Sequence, residues 1–100
     1  MSPRIQVDRE RIVEFCRKWN ITEFALFGSV LRDDFRPDSD VDVLVTFGPG
    51  GGLTFENRVK MLDELSAIFG RKVDLVEKKA IRNPFRRYEI LTTKSVVYAA

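Results

Sequence analysis

Apolar residues recur along this chain with two different periods. Ile12, Phe15, Cys16 and Trp19 follow the i, i+3, i+4, i+7 spacing of one buried helix face, and Asp8 stands where it can accept hydrogen bonds from the first free amides of that helix. Asn20 supplies the stop. Residues 23–27, EFALF, read as a short buried strand that ends at Gly28, and 41–47, VDVLVTF, as a second strand rich in β-branched residues. Pro37 and Asp38 mark a turn between them.

The second half repeats the alternation. GPGGG at 48–52 is a loop, read as a mobile lid or spacer. Thr54 after it can cap a helix whose Phe55, Val59, Leu62, Leu65 and Phe69 fall on one face and whose end is marked by Gly70. KVDLV at 72–76 is a third strand. Asn83-Pro84 is a cap followed by a first helical position, which predicts a short helix to about residue 91, and SVVYA at 95–99 reads as a last edge strand. Helices alternating with strands predict an α/β (α+β) layer, a small mixed sheet flanked by helices. A chain of 100 residues fits one domain over 1–100.

Composition narrows the chemistry. The single Cys16 cannot form an internal disulfide, no apolar run is long enough to span a membrane, and no secretory leader is evident, so a cytoplasmic protein is expected. There is no histidine, which leaves carboxylates to do acid–base work or to hold a metal. Net charge is only +2, but the first fifty residues carry 7 basic and 9 acidic side chains and the last fifty carry 10 and 6. In the latter half Lys78, Lys79, Arg82, Arg86 and Arg87 cluster. A solvated face is the default for such a run, with nucleotide or partner contact as the other readings. Nucleic acid is disfavoured as a direct partner, because the net charge is modest and the helical spacing of Phe85 and Tyr88 suits core packing better than base stacking. Cys16 and Trp19 lie on the apolar stripe of the first helix and read as core.

The stretch GSVLRDDFRPDSDVDVLVTF, 28–47, sets carboxylates against a core-like run, which is costly unless cations offset the desolvation. Asp40 and Asp42 are two apart, so in a strand they share a face while Val41, Val43 and Val45 take the other. Such a pair suits Mg²⁺ or Mn²⁺, which takes one or two carboxylates and completes its shell with water and phosphate oxygens, so a nucleoside triphosphate is the expected guest. Gly28 allows close backbone approach, Ser29 brings a hydroxyl, the amides of 29–32 sit at a predicted helix start, and Arg32 adds a guanidinium fork. Asp74, between Val73 and Leu75 on the third strand, should point to the same site. Two-metal nucleotidyl transfer needs that arrangement, and Asp74 could also accept the proton of the attacking hydroxyl. GPGGG lacks the lysine and Ser/Thr of a P-loop.

Gly28-Ser29, ten residues, then Asp40-Val41-Asp42 resembles the pattern of the nucleotidyltransferase superfamily, the group that includes DNA polymerase beta-like enzymes. More narrowly, GSVLRDDFRPDSDVDVLV looks like the minimal nucleotidyltransferases (MNT) of bacteria and archaea, which lack the extra domains of polymerases and are encoded beside HEPN-domain toxins. The resemblance spans nearly the whole chain, including NPFRRYEILTTKSVVYA at its end. It implies a mixed-sheet α/β fold, Asp40 and Asp42 on both metal ions, Asp74 as third metal carboxylate, and Gly28, Ser29 and Arg32 on the triphosphate. Asp33 departs from the glycine usual after that arginine and adds negative charge near the phosphates. The activity implied is Mg²⁺-dependent transfer of AMP from ATP to a tyrosine of a HEPN ribonuclease toxin by its antitoxin, in a complex of the two chains. Two alternatives remain: an antitoxin that silences by binding alone, and nucleotidyl transfer to RNA or to a small-molecule hydroxyl such as that of an aminoglycoside.

Overall fold

Asp8 opens the first helix as its spacing predicts: the carboxylate accepts from the Arg11 amide, α1 runs Arg9–Lys18, and Ile12, Phe15 and Cys16 are buried. Asn20 then turns the chain with a left-handed φ of 56°. The computed structural model describes residues 5–32, 36 and 38–100, so the turn expected at Pro37 and the substitution noted at Asp33 lie outside the described residues. Among these, β1 is Ile21–Phe27, β2 Val41–Phe47, α2 Phe55–Phe69, β3 Val73–Glu77, α3 Pro84–Thr93 and β4 Ser95–Ala99, with one-turn 3-10 helices at Gly28–Leu31 and Lys78–Ala80.

Each cap expected from the sequence forms. Thr54 accepts from the Asn57 amide while the Asn57 side chain accepts from the Thr54 amide, and Gly70 ends α2 in the left-handed conformation. Asn83 Oδ1 accepts from the amides of Phe85 and Arg86, with Pro84 as the first helical residue.

The four strands are ordered β3-β2-β1-β4. β1 is antiparallel to both neighbours, whereas β2 and β3 are parallel and joined through α2, which makes the sheet mixed. β4 is an edge strand, as expected. Alternation along the strands divides the core. Val41, Val43, Val45, Phe24, Leu26, Val73 and Leu75 face α1 and α2 and join Ile12, Phe15, Met61 and Leu65 in the larger cluster. Ala25, Phe27 and Leu44 point the other way and pack on Ile81 and on Ile90 of α3. One short helix thus covers the second face, and part of that face stays open.

Two expectations about helix faces fail for one reason. Of the face expected for α2, Leu65 is buried and Leu62 and Phe69 pack against the core, but Phe55 and Val59 are 88% and 50% exposed, and Met61, outside that face, is buried. At about 100° per residue, Val59 lies roughly 160° around the helix from Met61, so both cannot face the sheet. Phe85 and Tyr88 were expected to pack inward from α3, yet they are 85% and 72% exposed, because Ile90 and Leu91 make that helix's contact with the sheet. No helix among the described residues is long and apolar enough to cross a membrane.

The glycine loop also departs from the lid reading. The Gly48 amide donates to Asn20 O at 2.8 Å and the Asn20 side chain donates to Pro49 O at 2.9 Å, which ties the loop to the turn after α1. That is the far end of β2, about 16 Å of strand from Asp42. It cannot close over the carboxylates. Burial pushes the Cys16 thiol up to about 12, as suits a core residue.

Candidate functional site

β1 ends at Phe27, which pairs with Asp42 near the start of β2, and Asp42 pairs in register with Asp74 on β3. Residues opposite one another on parallel neighbours project from the same face, so two aspartates that are distant in sequence stand side by side. Both leave the sheet on the open face, because Val41, Val43, Val73 and Leu75 hold the other. Asp40 lies one residue before β2 and is exposed, so it precedes the strand that it was expected to open.

These carboxylates are less buried than the apolar run suggested. Asp42 is half-buried, Asp40 and Asp74 are exposed, and among the described residues no charged side chain is fully buried. Desolvation first, and then the negative charges of Asp74 and Asp40, push the Asp42 carboxyl above its ordinary range, against the opposing pull of Arg32 and Arg86. Three acids and two guanidiniums therefore meet electrostatically at one point.

Gly28 has a physical reason to be glycine. Its φ is +76°, and a Cβ built on it would lie 2.3 Å from Asp42 Oδ2. The backbone of the turn thus rests directly against the carboxylate. The segment after Gly28 was expected to start a helix, but it is a single 3-10 turn, Gly28–Leu31, with the Arg32 amide donating to Ser29 O at 2.9 Å. Ser29 is half-buried and Arg32 is exposed. So short a turn offers amides but little helix dipole.

A cleft of about 510 Å³ joins these parts, with Gly28, Arg32 and Asp42 on one side and Asn83, Phe85 and Arg86 of the α3 start on another. Phe27, Leu31 and Ile90 give it an apolar floor. Arg86 belongs to the basic cluster for which a solvated face was the default. Arg82 and Lys79 do face water, and Arg87 donates to Lys78 O at 3.1 Å. One residue escaped sequence reasoning altogether: Arg58 Nη2 of α2 lies 3.8 Å from Asp74 Oδ1. Nothing in its local pattern marks it, since the contact exists only because α2 runs beside β3.

The donor set fits a hard divalent cation. It consists of oxygens alone, and a bound cation would offset both the desolvation and the repulsion from Asp74 and Asp40 that raise Asp42. Among the described residues no three acidic side chains stand assembled as a ready cage. Mg²⁺ does not require one, since it retains waters and takes substrate phosphate oxygens beside one or two carboxylates.

Comparison with known proteins agrees with this geometry. The family model described as nucleotidyltransferase domain matches residues 9–97. A protein of Methanocaldococcus jannaschii named as a candidate protein adenylyltransferase is 36% identical over 73 residues, 73% of either chain. The protein adenylyltransferase MntA of Thermococcus cleftensis is 33% identical over 70 residues, 70% of this chain and 69% of the relative. Among solved structures, a complex of a tri-AMPylated Shewanella oneidensis HEPN toxin with its MNT antitoxin contains a chain of the same fold. The TM-score is 0.65 at 18% identity, over 92% of this chain and 70% of the other. With the site on one open face of a mixed sheet and the family model spanning nearly every element, this chain belongs to the nucleotidyltransferase domain family.

Proposed function

We propose that this protein is the antitoxin of a HEPN/MNT pair, a cytoplasmic protein adenylyltransferase that moves AMP from ATP to a tyrosine hydroxyl of a HEPN ribonuclease toxin and so silences it. The observation that carries this reading is the pairing of Asp42 with Asp74 on adjacent parallel strands, with Gly28 packed against Asp42. The names of the archaeal relatives support the same reaction class.

Asp40, Asp42 and Asp74 would hold the metal, two Mg²⁺ ions with Mn²⁺ as a substitute. When bound, these ions neutralise phosphate charge and lower the barrier to deprotonating the acceptor hydroxyl. The chain's own residues do the remainder. The Gly28–Ser29 turn gives its amides and the Ser29 hydroxyl to the β- and γ-phosphates, and Arg32 adds a two-pronged contact. Asp74, half-exposed at the sheet edge, accepts the proton of the tyrosine hydroxyl. The tyrosine oxygen bonds to the α-phosphorus, the bond to the β-phosphate oxygen breaks, and pyrophosphate leaves with that electron pair. Arg58 meanwhile balances the charge of Asp74 and orients it.

The test is incubation of the purified protein with Mg²⁺, α-labelled ATP and the HEPN protein encoded beside it, followed by intact mass. AMP should appear on the toxin with the wild type and be absent with Asp42→Ala or Asp74→Ala. A toxin that is silenced in a stable complex while remaining unlabelled would overturn transfer and establish inhibition by binding.

A further inference from the structure

Phe85 is the most exposed aromatic residue of the cleft. Its ring stands on the first turn of α3 with 85% of its surface open, although the residue faces the same cavity as Gly28, Arg32 and Asp42. The position is built rather than loose. Asn83 Oδ1 takes the Phe85 and Arg86 amides at 3.0 and 3.2 Å, and Pro84 fixes the preceding backbone, so the ring is presented from a rigid helix start. Among the described residues no aromatic contact involves this ring, whereas Phe15 packs on both Trp19 and Phe24.

Beside the carboxylates of Asp42 and Glu89, the cleft lining offers two walls that suit the parts of a nucleotide. Arg32 and Arg86 are cationic and suit phosphate, while Phe85 with Phe27, Leu31 and Ile90 is apolar and suits a flat ring. Its volume of about 510 Å³ lies in the range of small-molecule sites. A nucleotide has one part for either wall.

We propose that the Phe85 ring is the stacking surface for the purine base of the nucleotide. This rests on the adenylyl-transfer reading and adds to it the residue that holds the base. Stacking covers the exposed ring and uses the affinity of an aromatic face for a nucleobase, which every base offers.

Calorimetric titration of this 100-residue chain in Mg²⁺ tests this, with ATP and inorganic tripolyphosphate as separate probes. Phe85→Ala should weaken ATP binding about 10-fold and leave tripolyphosphate binding unchanged, while Phe85→Trp should retain ATP. Because the ring is so exposed, melting temperatures of these variants should match the wild type, which separates a lost contact from a damaged fold. Unchanged ATP affinity in Phe85→Ala, or equal weakening of both probes, would overturn the proposal. If Phe85→Ala lost only its hold on the HEPN toxin, the ring would belong to that interface and the proposal would fall. Wild-type protein that binds tripolyphosphate as tightly as ATP would sink the stacking claim alone. Failure to bind either probe would remove the adenylyl-transfer reading and the proposal with it.

Discussion

Gly28→Ala should impair transfer far more than it impairs folding. An added Cβ would lie 2.3 Å from Asp42 Oδ2, where ordinary Cβ contacts do not fall below 3.0 Å, so carboxylate and turn must part by about 0.7 Å. The φ of +76° adds a backbone cost for any L side chain of about 1–2 kcal/mol. If Asp42 and the turn hold the metal and phosphates as proposed, displacing them by this much should cost on the order of 100-fold in rate. Gly50 is the natural control, because its φ of +82° carries a similar backbone penalty with nothing within 4 Å of the added Cβ. Urea titration should find Gly50→Ala destabilised by about 1–2 kcal/mol and Gly28→Ala by at least as much, since its clash with Asp42 comes on top. AMP transfer, followed by intact mass, should collapse only in Gly28→Ala. Equal activity in the two variants would refute the claim that the turn positions Asp42.

Two further outcomes follow from the local physics. The Asp42 carboxyl is raised in the folded chain from its ordinary 3.8, so it stays protonated in the fold at pH values where the unfolded chain has released that proton. Its contribution is fully present below pH 3.8 and is lost as pH rises through the raised value. Asp42→Asn should therefore be more stable than wild type at about pH 7, by no more than about 1 kcal/mol given its half exposure, and no more stable at about pH 3, as denaturant midpoints would reveal. Thr54→Ala removes the acceptor of the 3.1 Å bond from the Asn57 amide at the start of α2, and should cost about 1 kcal/mol of unfolding free energy while leaving initial transfer rates intact.

Much of the fold was legible because its signals are local. Asp8, Thr54 and Asn83 cap helices through side chains that reach amides two or three residues on, and Gly70 closes α2 through its own backbone freedom. None of these needs knowledge of what lies across the molecule. Helix facing is different. The apolar residues of α2 lie around much of the helix, and the sheet selects Met61 and Leu65 over Phe55 and Val59 only once β2 and β3 have paired. The same dependence hid the exposure of Phe85 and Tyr88. Leu44 and Phe27 leave α3 room for little more than Ile90 and Leu91, so the aromatic residues of its first turns remain outside.

The site divides along the same line. Gly28, Ser29 and the Asp-x-Asp pair were visible as a motif, but the two-residue spacing of Asp40 and Asp42 describes convergence along one strand. The firmer juxtaposition is across strands, Asp42 with Asp74, and it follows from a parallel register that α2 imposes by returning the chain to the same end of the sheet. Arg58 arrives by the same crossover, since a helix that carries the chain from β2 to β3 must lie beside β3. Arg86 arrives because α3 covers the face that the aspartates occupy. Of the cations that balance the carboxylates, Arg58 and Arg86 thus come from the two helices that complete the sheet, while Arg32 comes from the turn after β1. A motif read along the chain records the acids and Arg32, whereas Arg58 and Arg86 are set by topology.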